Sequence, residues 1–488
     1  MREGSNLDSG IGRVGQSSLI LLVVLEMSEI LFSDSEVSQM VRTPSFEKRY
    51  KERTRKSKDY IEKSKRLIPG GVESNIRLFD PYPFVSRRAE GPYLYDIDGN
   101  KITDYALGYG PLILGHRHSK VVKAVKDQVD RGSMFGSPTE LTAKYVEIVR
   151  KAMPSIEMFR FTNSGCEATM TSLRLARAHT GKEKIAKAEG SYHGGYDYMM
   201  QSVDIPEDKL KRGVKCQPAV PWGNGLPECM SDLTVIYPFN EWAETEQIIS
   251  RNADELAAVI VEPIHAGGGF VAPRDDYLKK IRKLTKELGI LLIFDEVLTG
   301  FRVAWGGAQE RYGVRPDLTC VAKVAGGGYQ LGGFGGRKDI MEEIVPSDDG
   351  FVYHGGTYNA HAVSVAAGYA TLKELSRAGM YSKLERSGNM LFDGLRDISC
   401  DRSVDAWVES VGSMGEVFFI DREIRTWRDE LDVDGAKWER WFLAAISDGV
   451  FFGVPHPDGH AFISTAHTDD VIQRSLEVLD GAFKAIAE

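Results

Sequence analysis

The sequence predicts an α/β protein: a mostly parallel central sheet in a large domain, followed by a smaller α/β domain. Three observations carry this. The apolar runs at residues 257–261 (AAVIV) and 290–294 (ILLIF) read as strands buried on both faces of a parallel sheet. Between them, residues 276–288 carry Leu278, Ile281, Leu284 and Leu288 at helical spacing, which makes a β-α-β unit. From about residue 115 to 340 the same alternation of helix and short apolar run persists, and after about residue 365 helices alternate with shorter strands.

Taken in order, residues 1–45 read as an extension outside the fold. The run LILLVVL at 19–25 is far short of the roughly 20 residues that span a bilayer. It is followed at once by Glu26 and lacks a small-residue cleavage pattern. A first unit, 46–110, opens with a charged stretch from Phe46 to Leu67 that reads as one helix ending before Pro69-Gly70-Gly71. The alternating stretch at 91–100 then reads as a hairpin turning on Asp98-Gly99-Asn100. The large domain is expected over 111–365 and the small one over 366–488. These units suit a length of 488 residues, about three times the ~150-residue domain prior.

Composition narrows the function classes. Hydrophobic residues make up 42% and charged residues 27%, with a net charge of −9. A disordered chain, a collagen-like repeat and a global nucleic-acid binder are excluded. The five cysteines include no CxxC pair, so a reducing cytoplasm with free thiols is expected and no metal site is suggested. Neither a membrane nor a nucleic acid is expected as partner. Glycine is enriched, at 50 residues.

Four constellations fall at strand ends of the large domain. Ser164 and Glu167 have the S-x-x-E spacing of a capping box, which would set the amides of Gly165 and Cys166 in a helix's first turn, where anions bind. Many capped helices bind nothing, so the motif is weak alone. Gly190-Ser-Tyr-His-Gly-Gly195 follows a strand-like run and could project Tyr192 and His193 into a cleft; an ordinary loop is the plainer reading by itself. Asp295 leaves the carboxyl end of a buried strand, where open α/β sheets hold ligands. Buried there it needs a cation or donor, unless it merely caps the next helix. Lys323 leaves another buried strand just before three glycines, a setting that lowers a lysine pKa or uses it as a Schiff base. Together these are the parts pyridoxal 5′-phosphate needs: an anion site, a ring stacker, an acid for the pyridine nitrogen and a lysine for the aldehyde. A nicotinamide dehydrogenase is disfavoured, because the GGFGG run at 332–336 lacks the G-x-G-x-x-G fingerprint.

From about residue 65 onward the chain resembles class III aminotransferases of the fold type I pyridoxal-phosphate enzymes, nearest the glutamate-1-semialdehyde aminomutase branch. The motifs are GGVESNIR (70–77), YDIDGNKITDY (95–105), GPLILGH (110–116), NSGCEA (163–168), VEP (261–263), FDEVLTGFR (294–302), PDLTCVAK (316–323) and GGTYNA (355–360). The resemblance implies that Lys323 is the Schiff-base lysine and proton shuttle, that Asp295 pairs with the pyridine nitrogen, and that Tyr192 stacks on one ring face with Val297 on the other. Ser164, Gly165 and Cys166 would hold the phosphate, with His193 and Glu262 also lining the cofactor. Thr357 would come to the phosphate from a neighbouring subunit, implying a homodimer with shared active sites. Arg77, with Ser74 and Tyr109, would bind a substrate carboxylate, which the planar guanidinium suits. Retention of Lys323 and Asp295 argues against a catalytically dead relative.

The chain departs from that pattern at four places. Cys166 replaces a threonine, Gly459 falls where aminomutases carry a gating glutamate, residues 197–228 replace their mobile loop, and His265 stands where many members have glutamine. An aminomutase must retain its diamino intermediate, so these losses favour plain transamination from a carboxylate-bearing donor amine to a keto acid or aldehyde. Intramolecular transfer, as in glutamate-1-semialdehyde 2,1-aminomutase, is the alternative.

Overall fold

The computed structural model describes residues 45–348, 350–453 and 459–487. The apolar run at 19–25, and all of the expected extension before Ser45, lie outside the described residues. The charged opening segment forms two helices rather than one, α1 (Ser45–Arg53) and α2 (Arg55–Ser64). At the junction the Thr54 hydroxyl donates back to the Tyr50 carbonyl (2.6 Å), the local side-chain bond by which threonine competes with a helical ladder. Three antiparallel strands follow: β1 (Ser86–Glu90), β2 (Tyr93–Asp96) and β3 (Lys101–Asp104). The turn between β2 and β3 holds Asp98-Gly99-Asn100 as expected, with the Asn100 amide donating to Asp96 Oδ1 (2.7 Å).

The central sheet has seven strands: β4 (Met158–Thr162), β5 (Lys184–Ala188), β6 (Thr234–Tyr237), β7 (Leu256–Val261), β8 (Leu291–Glu296), β9 (Leu318–Val321) and β10 (Gly332–Gly336). Their spatial order is β4-β10-β9-β8-β7-β5-β6. Only β10 runs against its neighbours; the pairings from β9 to β6 are parallel. β7 and β8 are buried along their whole length, as their unbroken apolar runs require. The glycines of β10 answer to packing: a Cβ at Gly333 would lie 2.1 Å from the Phe159 ring. Helices α3 (Gly165–Thr180) and α4 (Tyr277–Glu287) pack on this sheet, α4 burying Leu278, Ile281 and Leu284.

Beyond the sheet lie β11 (Trp407–Val411), β12 (Met414–Phe418), the short helix α5 (Trp427–Glu430), β13 (Val450–Phe451) and β14 (Ala461–Phe462). β11, β12 and β14 form a small sheet, while β13 pairs in parallel with β3. The amino-terminal hairpin and the carboxyl-terminal region therefore share hydrogen bonds. Arg302 adds a second tie. Its buried guanidinium donates to the carbonyls of Gly110 and Ile463 (the latter at 2.8 Å). Among the described residues no helix is long and apolar enough to cross a membrane.

Candidate active site

The carboxyl ends of β5, β7, β8 and β9 bring together Tyr192, His193, Glu262, Asp295 and Lys323, whereas Ser74, Arg77 and Thr357 lie on separate exposed segments. Asp295 pairs in register with Cys320, so Lys323, three residues on, leaves the adjacent strand at the same end of the sheet. Lys323 is half-buried and has φ 46°. A left-handed lysine is uncommon and is held only where surrounding structure dictates it. Asp295 is 5% exposed. Its Oδ2 lies 2.8 Å from His193 Nδ1 and its Oδ1 accepts from the Val297 amide (3.0 Å). The donor required of a buried acid is thus an imidazole, itself fully buried. Strand alternation sends Glu296 to the other face, where its carboxylate accepts from the amides of Ala308 (2.7 Å) and Gln309 (3.0 Å). The helix-capping role weighed for Asp295 belongs to Glu296.

The head of α3 is capped as its sequence implies, with one correction. Ser164 is the N-cap of α3 and its Oγ accepts from the Glu167 amide (3.2 Å). The reciprocal half of the capping box is absent: Glu167 reaches past the cap to the amide of Asn163 (2.9 Å). The amides of Gly165 and Cys166 head the helix without intrahelical partners, the arrangement that attracts phosphate. A Cβ at Gly165 would lie 2.6 Å from Val297 Cγ2, so glycine lets the strand end of Asp295 close on the helix start. Cys166 is half-buried, and burial raises its thiol pKa.

Tyr192 is held by its backbone: its amide donates to Glu262 Oε1 (3.0 Å), while Glu262 Oε2 accepts from the Gly267 amide (3.2 Å). Burial raises the Glu262 pKa, with the charge of His193 opposing it. The Tyr192 side chain stays 48% exposed, leaving much of it open to a planar ligand. Thr357 is exposed, in the same chain segment as the exposed Phe351, Tyr353 and Tyr358. Arg77 is exposed and bonded to Glu73 (2.8 Å). Tyr109, at φ 67°, donates to the Ile76 carbonyl (3.4 Å), placing it beside the Arg77 segment. Ser74 is exposed in the same segment.

Beneath this site lie Lys187, which sequence reasoning missed, and His265, which it noted only as a replacement for glutamine. Lys187, fully buried in β5, donates to the carbonyls of Ser191 (2.7 Å) and Gln201 (2.6 Å). It thereby shapes the loop that carries Tyr192, and burial lowers its pKa to about 7. His265 is also fully buried, its pKa lowered to about 3 by burial, and neither ring nitrogen has a hydrogen-bond partner. The one signal for Lys187 was a lysine inside an otherwise apolar strand. Among the described residues no group of three or more side chains is arranged to hold a metal.

A helix-headed anion site, a buried acid, an aromatic open to the cleft and a lysine leaving the next strand fit a flat phosphorylated pyridine. A sequence profile of the family "Aminotransferase class-III" matches residues 77–480. The chain belongs to the class-III aminotransferases. It is 42% identical over 434 residues to a glutamate-1-semialdehyde 2,1-aminomutase of Desulforudis audaxviator, covering 88% of this chain and 98% of that one. A protein of the same name from Methanocaldococcus jannaschii is 40% identical over 431 residues, with the same coverage. Among solved structures, an omega-transaminase from Sphaerobacter thermophilus matches with a TM-score of 0.82 at 31% identity, over 88% of this chain and 98% of that one. This aminotransferase is a pyridoxal-phosphate enzyme of fold type I.

Proposed function

We propose that the enzyme moves an amino group within one small carboxylate-bearing substrate, in the manner of a glutamate-1-semialdehyde 2,1-aminomutase. The observation that carries this is 40–42% identity along nearly the whole length of proteins of that name. It favours the intramolecular alternative over the donor-to-acceptor transamination expected from the sequence.

Bound pyridoxal phosphate supplies an aldehyde that condenses with amines and a ring that takes up electrons when a carbon–hydrogen bond ionises. The chain's own residues do the rest. The amides of Gly165 and Cys166 and the dipole of α3 hold the phosphate, joined by Thr357 of the neighbouring subunit in a homodimer. Asp295, steadied by His193, keeps the pyridine nitrogen protonated. Tyr192 and Val297 confine the ring from its two faces. Lys323 would hold the cofactor through its aldehyde, and its amine would carry the proton taken from the substrate carbon. Arg77, exchanging Glu73 for substrate, takes the carboxylate, with Ser74 and Tyr109 beside it. The exposed aromatics in the segment of Thr357 support the dimer, and five free cysteines support a cytoplasmic location.

Donor-to-acceptor transamination remains the second reading, favoured by one observation. A Cβ at Gly459 would lie 2.6 Å from the Trp438 ring and 3.0 Å from Glu416, so the position aligned with the gating glutamate has no room for a side chain. Incubation of purified holoenzyme with glutamate-1-semialdehyde separates the readings. Multiple turnovers to the isomer carrying the amine on the neighbouring carbon, without any added keto acid, support the proposal. Turnover only when a keto acid accepts the amine, with stoichiometric release of a keto product, overturns it in favour of transamination.

A further inference from the structure

The short helix α5 touches both loops that shape the cofactor site, although it lies more than two hundred residues after the first of them. Arg428 grips Glu189 with two bonds, Nε to Oε2 at 2.7 Å and Nη2 to Oε1 at 2.8 Å. The pair is largely out of solvent, with side chains 14% and 2% exposed. Glu189 is the residue after β5 and three before Tyr192. Its Oε1 also accepts from the Gln217 amide (3.2 Å), and Arg428 Nη1 donates to the Lys211 carbonyl (2.8 Å). The segment that replaces the mobile loop of aminomutases is thereby fastened to the same pair. Trp427 closes on Gly190, where a Cβ would lie 2.4 Å from the indole, and Glu430 closes on Gly269, where it would lie 2.8 Å from the carboxyl. Gly190 opens the Tyr192 loop, and Gly269 lies in the loop whose Gly267 amide bonds Glu262.

Burial by itself raises the Glu189 pKa, and the bonds and charge of Arg428 oppose that. A buried carboxylate without its guanidinium would have to take a proton or draw in water, either of which moves the backbone next to it. The planar fork fixes direction as well as distance, which an ammonium cannot do.

We infer that Arg428 is a positioning residue of the active site, acting through Glu189 to set the loop that presents Tyr192 to the cofactor ring. The inference rests on Tyr192 being the ring-facing aromatic, and the test separates the two claims. Apo-protein is titrated with pyridoxal phosphate by absorbance for the wild type, Arg428→Met, Arg428→Lys, Tyr192→Ala and the double variant Arg428→Met/Tyr192→Ala. Arg428→Met is expected to weaken cofactor binding about tenfold or more, and Arg428→Lys to recover only part of it. In the Tyr192→Ala background the Arg428 substitution is expected to add little, because the loop then has no ring to present. Losses that simply add would show that Arg428 acts on stability alone, and unchanged affinity in Arg428→Met and Arg428→Lys would likewise overturn the inference. Unchanged affinity in Tyr192→Ala would instead overturn the assignment of Tyr192. Should Arg428→Met not fold, Arg428→Lys alone and with Tyr192→Ala gives the same comparison.

Discussion

Two of the four departures from the family pattern, Cys166 and His265, each have a measurable consequence. Cys166 sits in the first turn of α3 where a threonine would offer the phosphate a hydroxyl. Its thiol is a weak donor, so Cys166→Thr is expected to tighten pyridoxal-phosphate binding by about fivefold, the worth of one hydrogen bond, read by equilibrium titration of apo-protein. His265 is buried without a partner and resists protonation down to a pH of about 3. In the unfolded chain an imidazole takes up its proton near its ordinary value of 6.5. Between those values the unfolded state binds more protons, so the stability present above pH 6.5 is lost as pH falls through that window. The loss from this one group amounts to about 2 kcal/mol by about pH 5. Urea denaturation at about pH 7.5 and about pH 5 should show that slope in the wild type and a shallower one in His265→Gln. Lys187, lowered to about 7, also titrates near the start of this range, but it is present in both proteins and cancels in the comparison.

Among the elements, the head of α3 and the end of β8 function as one unit, because Gly165 lets them touch. Adding a methyl there brings it within 2.6 Å of Val297, an overlap of the kind that costs about 1–3 kcal/mol in a packed interior. Gly165→Ala is therefore expected to weaken cofactor binding by about tenfold, as the first-turn amides and the Asp295 segment are pushed apart. Val297→Ala in the same chain should recover part of that affinity, which the same titration measures. The sequence motif located this helix correctly but paired its cap incompletely. S-x-x-E spacing places Glu167 within reach of either neighbouring amide, and the bend of the chain entering from β4 gives it Asn163.

For the whole molecule, the decisive feature is that the active-site end of the sheet is braced by distant parts of the chain. Arg302, from the loop after β8, bonds carbonyls at Gly110 and Ile463, and burial lowers its pKa to about 9. Arg302→Met would leave those carbonyls buried and unpaired, so a loss of about 3 kcal/mol in chemical denaturation is expected. The sequence by itself determined the strands β7 and β8, the helix α4, the positions of Asp295 and Lys323 at strand ends, and hence the cofactor. Continuous burial, helical periodicity and residues at the end of a strand are local properties, written within a dozen neighbouring residues. Only the tertiary structure decided that Asp295 meets His193 while Glu296 caps a helix, that Lys187 points inward beneath the Tyr192 loop, and that Glu189 meets Arg428 across 239 residues. Such pairs form when whole elements dock, because the cost of burying a charge is met by whichever partner the fold delivers, and no spacing in the chain announces it.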